Sequence, residues 1–496
     1  MSFQQVEPMK IQFVRTLGTG ALALLVPGKG AAPLNQALQA ELKTTWAYLQ
    51  ALVKAGLLKT DKTEVQGFID PRPGQVFALT LGAETNPDLR VLGAKLGKKL
   101  LKADTEQVTL LLPESPNHAL CTGFERLMEG LFLGLYSYEE FKKPADPAPK
   151  TLKEIRLLGK KTPALAQALH RAQVLAEATN FARDLGNRPA NRCTPTDLKN
   201  ACEQTAKAQG LKFKALDEAA MAKANMGCLL GVSKGSSEPA WLNILEYRPA
   251  GKKKAPTLLL VGKGLTFDAG GISLKPAAGM EEMKFDMMGG AGVLGAMLAL
   301  AQLKPKINVI GLIPASENLP GPSANKPGDV LTACNGTTVE VINTDAEGRL
   351  ILADALAYGI KTFQPDAVID MATLTGACMV ALGSYHSGLL TNDAALKAQV
   401  QAAAEASGDP VWELPSSDVY FKQIEGSITD LKNTGGKDAG TITAGLFLKH
   451  FVGKTPWVHL DIAGTAWNVE RIEYYPTKGA TGTGVRLLTE LAMNWK

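Results

Sequence analysis

The 496-residue sequence holds only six cysteines and no C-x-x-C pair, which leaves neither a disulfide framework nor a zinc knuckle to read. Cys121, Cys193, Cys202, Cys228, Cys334 and Cys378 are scattered, and they read as reduced, mostly buried thiols. Histidine is scarcer still. His118, His170, His386, His450 and His459 form no H-E-x-x-H pattern, so a histidine-ligated metal is not expected. His459, alternating with apolar residues, reads as a satisfied core group or a support behind a site. No uncharged apolar run reaches the roughly 18 residues a spanning helix needs. The opening Met-Ser-Phe-Gln-Gln-Val-Glu has no secretory pattern, so a cytoplasmic enzyme is the expectation. Charge bias is absent too: the net charge is +5, and residues 1–150 hold 17 basic and 15 acidic side chains. Bulk charge therefore announces neither a nucleic-acid partner nor a membrane surface. The G-x-S-x-G elbow and both phosphate-loop patterns, G-x-x-x-x-G-K-[ST] and G-x-G-x-x-G, are also missing, which weakens serine-nucleophile and nucleotide readings.

What is present is an ordinary globular composition, 45% hydrophobic and 20% charged, on a chain long enough for two or three domains. Short apolar runs at 76–81 and 108–112 mix with helical patterns at 37–55 and 88–101, which predicts a smaller N-terminal α/β domain over 1–145. Three prolines in the polar stretch 141–152 mark a linker. A helical pattern follows over 163–185, so 146–180 reads as linker and connecting helix. From 181 to 496 apolar strands at 257–261, 307–313, 339–342, 367–371 and 457–462 alternate with helices such as 292–303 and 350–362. That alternation predicts a larger domain with a mixed, largely parallel sheet covered by helices on both faces. Ligands of such sheets gather beyond the carboxyl ends of the strands.

Two polar clusters sit at such ends. The stretch 262–276 reads as a glycine-rich loop carrying Lys263, Asp268 and Lys275, and Glu281, Glu282, Lys284 and Asp286 follow before a helix start. The second cluster, 343–350, carries Asp345, Glu347 and Arg349 ahead of another helix. Acids near helix starts can be simple capping or dipole partners. Capping leaves the combination of acids, two lysines and an arginine unexplained. Such a set suits a pair of divalent cations, because carboxylates bridge two metals that share one activated hydroxide. The methionines Met280, Met283, Met287 and Met288 read first as core.

The string Asn-Thr-Asp-Ala-Glu-Gly-Arg-Leu at 343–350 resembles the signature octapeptide of the cytosolic leucine aminopeptidase family. The segments 261–276, 283–287, 372–377, 459–466 and 479–488 are similar to that family's blocks in the same order. The resemblance implies that Asp268 and Glu347 bridge two metals, manganese or zinc, with Lys263 and Asp286 completing one position and Asp345 the other. It further implies that Lys275 stabilises the oxyanion, that Arg349 holds a bicarbonate acting as general base, and that Met283, Asn343, Thr373, Leu374 and Gly376 contact the substrate. The implied activity is release of N-terminal Leu and other apolar residues from peptides with a free amine. The implied assembly is a homohexamer built with an oligomerisation or regulatory N-terminal domain. A two-metal phosphoesterase is the competing enzyme reading. DNA binding, known for some members, finds no support in the charge.

Overall fold

A computed structural model describes residues 9–15, 20–26, 43–55, 57–59, 64–70, 74–80, 88–103, 105–112, 118–143, 151–249 and 255–496. The chain divides into two compact units, one of Ser2–Glu177 with Glu470–Pro476, the other of Ala178–Val469 with Thr477–Lys496.

The first unit is built on β1 (Lys10–Val14), β2 (Ala21–Val26), α1 (Lys43–Lys54), β3 (Glu64–Asp70), β4 (Gly74–Thr80), α2 (Leu89–Lys102), β5 (Gln107–Leu111), α3 (His118–Gly134) and β6 (Glu154–Leu158). Its sheet runs β1-β6-β5-β2-β4-β3, parallel throughout except for the β3–β4 pair. β6 lies within the stretch read as linker and connecting helix, so part of 146–180 is instead a sheet strand; residues 144–150 of the proline-rich stretch fall outside the described residues. Helices α2 and α3 approach closely through Gly93 and Gly97 on one and Gly130 and Gly134 on the other. A β-carbon on any of these four would stand within 2.5 Å of the facing helix backbone.

Helix α4 (Pro163–Asn187) leads into the second unit, whose strands are β7 (Lys212–Leu216), β8 (Trp241–Tyr247), β9 (Thr257–Gly262), β10 (Gly264–Asp268), β11 (Asn308–Asn318), β12 (Val330–Thr332), β13 (Thr338–Glu340), β14 (Ala367–Ala372), β15 (Ser387–Thr391), β16 (Val411–Glu413), β17 (Leu431–Lys432) and β18 (Trp457–Asp461). The main sheet runs β16-β15-β18-β14-β9-β11-β8-β7, with β10 beside β11. Its centre, β18-β14-β9-β11, is parallel, while β15, β8 and β7 bring in antiparallel pairs. Strand alternation gives each face its helices. Leu259, Val261, Ile310, Leu312 and Val368 pack beneath α6 (Gly348–Phe363) and α7 (Gly440–Val452). The other face carries α5 (Met288–Leu303), where Gly262 meets the backbone of Gly289 and Gly290, and Gly311 lies against Met297. The stretch Met280–Leu303 is long and apolar enough to cross a membrane by composition, but 83% of that window is buried inside the fold. It is the core helix of this sheet.

Two sequence expectations change here. The glycine-rich stretch is not all loop, because Gly264–Asp268 continues as a strand whose Asp268 pairs with Asn318. The strand before the octapeptide does not belong to the main sheet. It is β13 of a separate small sheet ordered β12-β13-β17.

Candidate active site

The peptide link between β9 and β10 is pinned at Lys263, whose N–H donates to Met371 O at 3.0 Å and whose carbonyl accepts from Gly290 N at 2.6 Å. This aims a fully buried lysine at two carboxylates. Its Nζ stands 2.8 Å from Asp286 Oδ2, 2.8 Å from Glu347 Oε1 and 3.1 Å from Thr373 O. Lys275 forms a second cluster, 2.8 Å from Asp268 Oδ2 and 2.6 Å from Asp345 Oδ1. Two glycines make room for this. A β-carbon on Gly348 would sit 2.7 Å from Lys263 Nζ, and one on Gly270, held at φ +88°, would sit 2.9 Å from Asp345 Oδ1.

Glu347 occupies the N-cap position of α6 yet makes no capping hydrogen bond. Its carboxylate goes to Lys263 instead, so capping does not account for it. Asp286 is the penultimate residue of the 3-10 segment Met280–Met287 and accepts from Thr373 Oγ1 at 2.7 Å. By contrast Glu282 is a structural acid, accepting from Trp467 Nε1 and Asn468 Nδ2.

Four carboxylates against two ammonium groups leave an excess of buried negative charge, and the ionisation equilibria respond. Burial, then the Asp268 charge, pushes Glu347 up to about 8. Burial raises Asp286 to about 6, against the pull of Lys263, and raises Asp345 as well. For Lys263 burial works downward, but Asp286, Glu347 and Asp268 outweigh it and hold the ammonium above the ordinary lysine range. Lys275 is held up likewise by Asp268, Glu347 and Asp345.

The donor set fits divalent metal. Asp268, Asp286 and Glu347 each offer an oxygen, all within 4.8 Å of one another. Glu347 Oε2 is buried without a hydrogen-bond partner among the described residues. An uncompensated carboxylate oxygen in a buried acidic cluster is what a cation would satisfy. Asp345 lies outside that tightest group and joins through Lys275.

Arg349, buried at the start of α6, presents Nε and Nη1 that have no partner among the described residues. Burial lowers its pKa to about 10, opposed by Glu347 and Asp461. Two unpaired guanidinium N–H groups at a helix N-terminus fit a small oxyanion. Of the expected substrate contacts, Met283 is half-buried in the 3-10 segment, and Thr373 gives its hydroxyl to Asp286. Leu374 donates its N–H to Asp461 Oδ1, while Asn343 is exposed and accepts from Asp345 N at 2.8 Å. Gly376 is exposed, with nothing within 4 Å of where its β-carbon would stand.

Of the supports, sequence reasoning singled out His459 alone and passed over the others. Asn318 Nδ2 ties the Asp268 strand to the Asp345 turn, donating to Asp268 Oδ1 at 2.8 Å and Thr344 O at 3.0 Å. Thr344 Oγ1 donates to Gly270 O and accepts from Ser273 N. His459 is only half satisfied: Nδ1 meets Asp370 Oδ1 at 2.6 Å, but Nε2 has no partner among the described residues. Its signal was visible as polar residues at alternate positions of an otherwise apolar strand.

The cytosol aminopeptidase family's catalytic-domain model matches residues 180–489, and its N-terminal-domain model matches residues 26–145. A probable cytosol aminopeptidase of Desulforapulum autotrophicum is 47% identical over 401 residues, covering 80% of this chain and 77% of the relative. One from Solibacter usitatus is 51% identical over 369 residues, covering 74% and 76%. A solved structure, the bottromycin maturation enzyme BotP in complex with Mn, is similar at TM-score 0.83 and 30% identity, covering 96% of this chain and 99% of that one.

Proposed function

The chain belongs to the cytosol aminopeptidase family, and from that premise we propose that it releases N-terminal residues, preferably Leu and other apolar ones, from peptides with a free amine. The observation that carries this reading is the clustered set of four carboxylates and two lysines with Arg349 beside it.

Asp268 and Glu347 would be shared by two divalent cations, with Lys263 and Asp286 completing one position and Asp345 the other. When bound, the pair polarises the scissile carbonyl and lowers the pKa of water. Lys263 coordinates only as the neutral amine, a form that a neighbouring dication favours. Lys275 stays charged and stabilises the negative oxygen of the tetrahedral intermediate. Arg349 would hold bicarbonate as the general base, in keeping with its N–H groups that have no partner among the described residues. Manganese and zinc both suit these ligands, and BotP's manganese favours trying the former first.

The open space beside Gly376, with Met283, Asn343, Thr373 and Leu374, is assigned to the first residue of the substrate. Discrimination among apolar side chains there is modest, since a methylene is worth about 1 to 3 kcal/mol. The domain arrangement proposed is an N-terminal domain of 1–145 completed by strand β6, helix α4 as the connection, and a catalytic part at 181–496, acting in the cytoplasm as a homohexamer through the N-terminal domain.

The test is a panel of aminoacyl p-nitroanilides, assayed after chelation and after return of each metal. Leucine p-nitroanilide is hydrolysed only with metal, whereas N-acetyl-leucine p-nitroanilide and p-nitrophenyl phosphate are not. Hydrolysis of the phosphate ester alone would replace this reading with the phosphoesterase.

A further inference from the structure

Of the four clustered carboxylates, three stand on regular elements: Asp268 on β10, Asp286 on the 3-10 segment, and Glu347 at the start of α6. Asp345 stands on a turn. It is also the least enclosed, its side chain 32% exposed against 4%, 9% and 3% for the others. Something other than packing must hold it.

Lys275 and the Asn343 side chain hold Asp345 directly, and Asn433, fully buried and remote in sequence, holds the turn itself. Strand β17 pairs in parallel with β13, Val339 opposite Leu431 and Glu340 opposite Lys432, and Asn433 N extends the ladder to Glu340 O at 3.0 Å. The pairing sets Asn433 beside the turn that leaves β13. Its Oδ1 accepts from Ile342 N at 2.8 Å and Asn343 N at 3.3 Å, and its Nδ2 donates to Asn343 O at 2.6 Å and Ala346 O at 3.3 Å. Both amide protons and both lone pairs are engaged, which is the whole capacity of an asparagine side chain. The four bonds bracket Asp345 on either side, and only a carboxamide offers two N–H donors beside an oxygen with two lone pairs.

We propose that Asn433 is a positioning residue that fixes Asp345 and so sets the affinity of the metal position that depends on Asp345. This rests on the two-metal reading above. Asp at 433 keeps the size but points a carboxylate at two carbonyl oxygens, and Ala leaves two N–H and two C=O groups without their partner. Neither change touches Lys263, Asp286 or the bridging pair.

The experiment is manganese titration of the metal-free full-length protein, followed by calorimetry, for wild type, Asn433→Ala, Asn433→Asp and a control. Thr338→Val serves as control, since it removes the Thr338 hydroxyl's two bonds to Asp430 at the exposed end of the same small sheet and leaves the backbone bond in place. Wild type binds two metals per chain. Both Asn433 variants keep one site within threefold of wild type and lose about 10- to 100-fold at the other. Thr338→Val keeps both sites even where its melting temperature falls as far. Two metals at wild-type affinity in a folded Asn433 variant, or equal weakening of both sites, overturns the proposal. Fewer than two metals in wild type rejects the two-metal reading itself.

Discussion

Lys263 Nζ lies 2.8 Å from Glu347 Oε1 across 84 residues of sequence. The contact joins the two charged clusters at a point where both partners are buried, and Gly348 is what lets the lysine come so near the start of α6. Removing the lysine leaves Glu347 and Asp286 facing each other without their cation in a low-dielectric setting.

Glu347→Ala is expected to abolish tight binding of two metals per chain, because a bridging carboxylate serves both positions. Metal content after dialysis reads this directly. Two tightly held metals in the variant would remove Glu347 from the bridging role.

For Lys275→Ala the expected loss is in kcat, by about 10² to 10³, as for removal of an oxyanion donor. KM on leucine p-nitroanilide changes far less. A variant with kcat near wild type means that the Lys275 cation does not act on the developing oxygen.

Arg349→Lys keeps the charge but offers no planar pair of N–H groups. Assayed in carbon-dioxide-depleted buffer, wild-type activity rises on addition of bicarbonate, and the variant's response is lost. An equal response in both proteins separates the arginine from the anion.

Acid–base linkage supplies a fourth expectation. In the metal-free fold Glu347 is raised from 4.5 to about 8 and Asp286 from 3.8 to about 6, chiefly by burial. The folded state therefore binds more protons than the unfolded chain between those limits, so this contribution to stability is complete at low pH and is lost as pH rises toward 8. Melting temperatures in chelator should fall from pH 5 to pH 8, with a flatter slope for Glu347→Gln. A wild-type melting temperature that climbs through that window contradicts the assignment.

Asp370 is buried between His459 Nδ1 and Trp457 Nε1. Asp370→Ala should destabilise by about 3 to 5 kcal/mol, the scale for breaking a buried charged pair. Urea unfolding of the metal-loaded protein measures it, and a change under 1 kcal/mol would show that the histidine is held by other means.

The clusters themselves were legible because each is contiguous: Lys263, Asp268 and Lys275 follow one strand, and Asp345, Glu347 and Arg349 fill one turn and helix start. The strands of the parallel centre were legible for the same reason, as short apolar runs between turn residues. What escaped was anything set by register between distant segments. Gly264–Asp268 looked like loop because glycine is a poor strand former, yet pairing with β11 makes it a strand. Strand β13 was assigned to the main sheet because its pattern says nothing about which neighbour it takes. Asn433 carried no signal at all, since its four hydrogen bonds exist only once β17 lies beside β13.

Each pair of converging carboxylates in this fold encloses an ammonium group, Lys263 in one and Lys275 in the other. The chain thus brings its own counterions to a place where anions would otherwise drive one another apart. The carboxylates are gathered without metal, and under the two-metal reading loading would be a cation exchange in which Lys263 gives up a proton. Under that reading a chain folded without metal would take it up without rebuilding the site.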